Sequence, residues 1–190
     1  MKTIETVLFE FNYILKNYEK LKRISVFQLY KNHLNSSWPD FITDLTRFLM
    51  RNFWEDVLEK DQKKVGVKNS RYFYREFETG IITIGRCEHY VRTYSESKKC
   101  LKISKIVINN NGNYTLEQFI FILLHELAHH TLWVSQVEVE NPHGKEFQEE
   151  NKRLIKKVQE KYNIEVPFNM KNKFMGTIKL KRCFNYKIKI

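Results

Sequence analysis

Cysteine is scarce in this chain. Cys87, Cys100 and Cys183 make an odd set with no CxxC spacing, which argues against a disulfide framework or a cysteine-built zinc ribbon. Proline and glycine are sparse too, at 3 and 6 residues, which excludes a collagen-like or low-complexity chain and leaves little room for a long flexible linker. The longest uninterrupted apolar run, Phe119 to Leu124, falls far short of a bilayer span. Glu5 and Glu10 interrupt the apolar start Val7-Leu8-Phe9, so no secretory leader is read; the expectation is a cytoplasmic protein with no membrane partner. Acidic residues are outnumbered, 22 against 33 Lys and Arg, for a formal charge of +11. What is present, 42% hydrophobic and 14% aromatic residues over 190 positions, suffices for one buried core.

Helical spacing dominates the first third. Ile4, Val7, Leu8, Phe11, Ile14, Leu15, Tyr18 and Leu21 recur every three or four residues and form one apolar stripe. A short helix over Val26 to Leu34 follows, and a third begins near Ser37-Trp38-Pro39-Asp40, with proline in the first turn, burying Phe41, Leu45, Phe48, Leu49 and Phe53. From about Val65 the texture turns β-branched and aromatic. Tyr72 to Phe77, Ile81 to Arg86, Tyr90 to Tyr94 and Leu101 to Ile108 read as short strands. Thr115 and Gln118 fit a capping box for a helix from Leu116 to about Val134, and a last amphipathic helix, Gly144 to Tyr162, buries Phe147, Leu154, Ile155 and Val158. The expected fold is α+β. It divides into an N-terminal helical region (1–64) packed on a core (65–165) in which a small antiparallel or mixed sheet packs on the Leu116 helix, and a basic tail (166–190).

Chemistry concentrates on that helix. His125-Glu126-Leu127-Ala128-His129 is an H-E-x-x-H pattern. Residues four apart lie about 40° apart around a helix and roughly 6 Å along it, so both imidazoles can reach one metal ion. Glu126 projects about 100° away from His125, beside the metal, where a general base takes a proton from the attacking water. The bland alternative is a pair of core histidines hydrogen-bonded to backbone. Against it, two histidines and a glutamate directly after six apolar residues need partners, because unpaired buried polar groups are costly. A third protein ligand is required, and His143, just before Gly144, is the leading candidate; Glu138 and Glu140 are the alternatives. His130 is turned about 100° off the metal face and reads as an outer-layer or surface residue. Three imidazoles and one water favour Zn2+. An extended peptide is expected to add along an unpaired edge of Leu101 to Ile108.

The run HELAHH, thirteen residues after His129 and then HGKEF (His143 to Phe147) at a helix start, resembles the SprT-like, Spartan-type metallopeptidases. The likeness covers about Gly80 to Tyr162. It implies a zincin-like fold, zinc ligands His125, His129 and His143, and Glu126 as catalytic base. Many members carry a four-cysteine zinc ribbon after this domain; the lone Cys183 does not supply one. Spartan-type relatives digest proteins crosslinked to DNA. Charge gives separate support for a polyanionic partner, since residues 144–190 hold 13 Lys and Arg against 5 Asp and Glu, and Phe174, Phe184 and Tyr186 are interleaved in the basic tail.

The leading functional expectation is therefore a zinc metalloendopeptidase, using a metal-activated water and a glutamate base on extended or unfolded polypeptide, with nucleic-acid-associated proteins as one substrate class. Two other readings compete with it. One is a metal-dependent amide hydrolase with a closed pocket for a small substrate. The other is a basic DNA-binding or interaction protein whose zinc site is structural or vestigial.

Overall fold

The computed structural model describes residues 38–63, 66–70, 75–76, 81–83, 85–93, 100–108, 114–166 and 188–189. The two helices expected before Ser36 and nearly all of the basic tail lie outside the described residues. Helix α1 is Trp38–Asp56. Strands β1 to β5 are Gly66–Ser70, Arg75–Glu76, Ile81–Thr83, Gly85–Thr93 and Cys100–Ile108. Helices α2, Leu116–Val134, and α3, Lys145–Tyr162, follow, and Ile188–Lys189 is β6. The architecture is α+β, as expected, with one three-stranded mixed sheet (β1-β5-β4) and a second small sheet of β2, β3 and β6.

All three helices sit where the apolar periodicity places them. Phe41, Leu45, Phe48, Leu49 and Phe53 of α1 are buried, as are Phe147, Leu154, Ile155 and Val158 of α3. They share one hydrophobic cluster with the apolar residues of α2 and with Ile106 and Ile108 of β5. The α2 capping box forms: the Gln118 amide N–H donates to Thr115 Oγ1 at 3.3 Å, and the Thr115 N–H donates to Gln118 Oε1 at 2.9 Å. Helix α3 ends at Asn163 in the left-handed region (φ 53°), a conformation that asparagine tolerates. A polar clamp ties α3 to the turn after α1. Arg153 bonds Glu150 and Gln62, Lys157 pairs with Glu59, and the Tyr162 hydroxyl donates to Asp56 at 2.6 Å.

The strands depart from expectation in three places. Leu101 to Ile108 is not a free edge: β5 is the middle strand, parallel to β1 and antiparallel to β4. Strand β4 runs unbroken from Gly85 to Thr93, where the pattern suggested a break at Cys87-Glu88-His89. Its residues do alternate, but Gly85, Cys87 and His89 face α2 while Arg86, Glu88 and Tyr90 form a polar cluster on the other face. An inward face built from glycine, cysteine and histidine carries no hydrophobic alternation to read. Strand β1, Gly66–Ser70, has almost no β-propensity of its own and exists through its pairing with β5.

Replacing Thr115 by alanine removes the first-turn cap of the helix that carries the H-E-x-x-H pattern. The expected loss is about 1 kcal/mol in denaturant unfolding, with no change in slope.

Candidate metal centre

Three imidazoles converge between α2 and the start of α3. His125 and His129 project from successive turns of α2, with ring centroids 5.2 Å apart. His143 arrives from the loop before α3, and its ring lies 5.1 Å from His125 and 5.0 Å from His129. One nitrogen from each ring falls within 4.8 Å of the others, and this is the one group of three or more such side chains able to hold a metal ion among the described residues. His125 Nε2 and His143 Nε2 are 3.2 Å apart. Two nitrogens bound tetrahedrally at 2.0–2.1 Å would be about 3.3 Å apart, so the spacing fits a shared ion. The exposed acids Glu138 and Glu140, the alternative third ligands, are not part of this group.

Local structure holds His143 in place. Its N–H donates to Asn141 Oδ1 at 3.1 Å, and Gln148 Nε2 donates to its carbonyl oxygen at 3.3 Å. The Gly144 N–H closes the turn onto Asn141 O at 2.8 Å. Phe147, one turn into α3 and 4% exposed, touches all three rings, at 4.7 Å from His125, 4.4 Å from His129 and 4.9 Å from His143. Sequence periodicity marked Phe147 only as core; that its ring is also a wall of the site depends on how α3 docks against α2.

Burial sets the protonation of these groups. It depresses His125 to about 3, with His129 and His143 adding repulsion, and His129 to about 4, with His143 and His89 adding repulsion. His143 is lowered by burial as well. All three rings are therefore neutral, and ligand-ready, at neutral pH. Glu126, 5% exposed, faces the sheet. Burial pushes its carboxyl up to about 8, opposed by a hydrogen bond from the Cys87 backbone. A Cβ at Gly85 would lie 2.6 Å from Glu126 Oε1 and 2.9 Å from Ile122 Cγ2, so only glycine leaves that carboxylate its room. Nothing in the spacing of the H-E-x-x-H pattern pointed to Gly85 or Cys87, some forty residues upstream.

His130 is not at the surface. It is completely buried, its Nδ1 lies 2.7 Å from Ser104 Oγ and its Nε2 3.3 Å from the Gln62 carbonyl oxygen, and its ring packs on Trp54. It thus serves the core and stays off the three-imidazole cluster.

A family model described as the SprT-like family matches residues 45–171, more than half of the chain. The chain belongs to the SprT-like family. The match takes in most of α1, strands β1 to β5, α2 and α3, and so extends well before the Gly80 boundary of the motif resemblance. No curated protein and no solved structure matches this chain. No described helix of this SprT-like chain is long and apolar enough to cross a membrane.

Two outcomes are expected. His143→Ala in the SprT-like chain should lower the metal content found by elemental analysis, and full retention would hand the third position to Glu138 or Glu140. Glu126 has a folded value of about 8 against an ordinary 4.5, so the folded state keeps a proton that the unfolded state loses. Stability of the metal-free protein therefore falls as pH rises through that window. Glu126→Gln should melt progressively higher than wild type between these limits, and a constant gap would contradict the buried carboxyl.

Proposed function

We propose that this SprT-like chain is a zincin-like, zinc-dependent metalloendopeptidase, with His125, His129 and His143 as zinc ligands and Glu126 as general base. The observation that carries this reading is the convergence of three neutral imidazoles, two of them from the helix that also carries the buried Glu126. Zinc, the ion suited to three imidazoles and an open fourth position, supplies Lewis acidity that polarises the scissile carbonyl and acidifies the attacking water.

The protein's own groups do the rest. Glu126 takes the proton of the attacking water and passes it to the departing amine. Gly85 leaves it space and the Cys87 backbone N–H holds it, so one end of β4 aims the carboxylate. Among the described residues β4 is the margin of the mixed sheet beside this carboxylate, and an extended polypeptide adds along it. His143 is exposed at the rim, which favours access by a polymer over a closed small-molecule pocket. A purely structural zinc site has no use for a buried carboxylate next to its ligands.

Nucleic acid enters the proposal through charge. The cations of α3 are largely matched: Lys145 with Glu149, Arg153 with Glu150, Lys156 with Glu160, Lys157 with Glu59 and Lys161 with Asp56. The excess positive charge therefore lies in residues 166–190, which hold seven Lys and Arg and no acid. Such a tail is suited to holding the enzyme near phosphate-bearing substrates.

Glu126→Gln should keep wild-type zinc content while losing about 10²–10⁴-fold in hydrolysis of an unfolded protein such as casein. If zinc-loaded wild type leaves both casein and DNA-bound proteins intact on a gel, the peptidase reading ends.

A further inference from the structure

A second polar system lies on the sheet-facing side of α2 and is not used by the three-imidazole centre. It runs from the Gln62 carbonyl through His130 and Ser104 to His89, with contacts of 3.3, 2.7 and 3.2 Å. Its proton directions can be read from one end. His130 is fully buried, and its hydrogen-bond partners among the described residues are a carbonyl and a hydroxyl, so a cation there would be uncompensated and the ring is neutral with a single N–H. A carbonyl oxygen only accepts, which places that N–H on Nε2. His130 Nδ1 must then accept, and it takes the hydroxyl proton of Ser104. With its proton committed, Ser104 Oγ accepts from His89, so His89 carries its proton on Nδ1. The Cys87 thiol neighbours both this nitrogen, at 3.9 Å, and the Ser104 hydroxyl, and its sulfur is a weaker acceptor than an imidazole nitrogen for the Ser104 proton. The Nε2 of His89 is consequently a bare acceptor.

Position gives that acceptor a use. His89 is exposed, and it shares the α2-facing side of β4 with Gly85 and Cys87, which contact Glu126. Its ring stacks at 4.4 Å on Trp133, one helical turn beyond His129, and Lys102 Nζ lies 5.3 Å from the Trp133 centroid. The stack and the Ser104 bond fix the ring from two directions, leaving Nε2 turned away from Ser104.

We propose that His89 is a substrate-binding residue whose bare Nε2 accepts a backbone N–H of an extended polypeptide lying along β4, and that Ser104 and His130 are positioning residues that dictate its tautomer. The polypeptide part rests on the peptidase reading; the tautomer assignment does not.

Two measurements on the full chain test it. Long-range ¹H–¹⁵N imidazole spectra of the zinc-loaded protein at neutral pH should show His89 protonated on Nδ1 and His130 on Nε2. Ser104→Ala should move His89 towards the Nε2-protonated form. Wild-type His89 already protonated on Nε2 overturns the proposal. In the second, a labelled unstructured casein peptide is titrated into zinc-loaded Glu126→Gln and followed by fluorescence anisotropy. Adding His89→Phe, which keeps an aromatic ring against Trp133 but removes the acceptor, should weaken binding about five- to tenfold with zinc content unchanged. Equal affinity, no peptide binding to Glu126→Gln, or loss of zinc on the His89 change each overturns it. A cleavage gel with wild type reports separately on the peptidase reading.

Discussion

A helix buried on nearly every side carries five polar side chains within two turns, and each of them needs a partner. This constraint on α2 organises the rest of the molecule. His125, Glu126, His129, His130 and Thr131 follow a fully apolar run, and unpaired polar groups in such surroundings would cost several kcal/mol in total. The 100° step between neighbouring residues sorts them into two directions. His125 and His129 point to the cleft closed by His143 and Phe147 of the α3 region. Glu126 and His130 point to the sheet and meet the Cys87 backbone and Ser104. The Thr131 hydroxyl donates to its own helix at Ala128 O.

The two directions need different supports. On the cleft side the imidazoles are oriented by packing on the Phe147 ring, and His143 is held at the tip of a short loop by Asn141 and Gln148. The loop is only as rigid as α3, and α3 is fixed to the end of α1 by Tyr162 and to the turn after it by Arg153 and Lys157. Stability of the distant α1 contact thereby reaches the geometry of the cleft. On the sheet side hydrogen bonds replace packing, and a single strand, β4, meets both Glu126 and the buried His130 system. An extended chain lying along β4 would thus be near the carboxylate and the His89 ring at once.

Much of this was legible in the chain. The helix spans followed from apolar periodicity because helical contacts are local, and the Thr115–Gln118 cap marked the start of α2 to the residue. The candidate ligands His125, His129 and His143 were named from spacing and residue type, and those rings are the ones brought together. The sheet was harder. Strand β1 has a sequence that favours turns, β4 hides its inward face behind Gly85, Cys87 and His89, and the central place of β5 depends on partners far away in the chain. Of the two places that helical geometry leaves for His130, an outer layer around the site or the surface, the surface is excluded by its burial, and no local signal reports that a sheet covers that side of α2.

The amino-acid order by itself determined which side chains share a helical face, because the backbone repeats every 3.6 residues whatever surrounds it. It thereby set the pairing of His125 with His129, the divergence of Glu126 from them and the polarity of each helix. Only the tertiary structure decided what each face meets: Phe147 against the imidazoles, Gly85 beneath the carboxylate, and Ser104 between His130 and His89. Those contacts join residues tens of positions apart, and packing of separate elements has no period that a linear pattern could display.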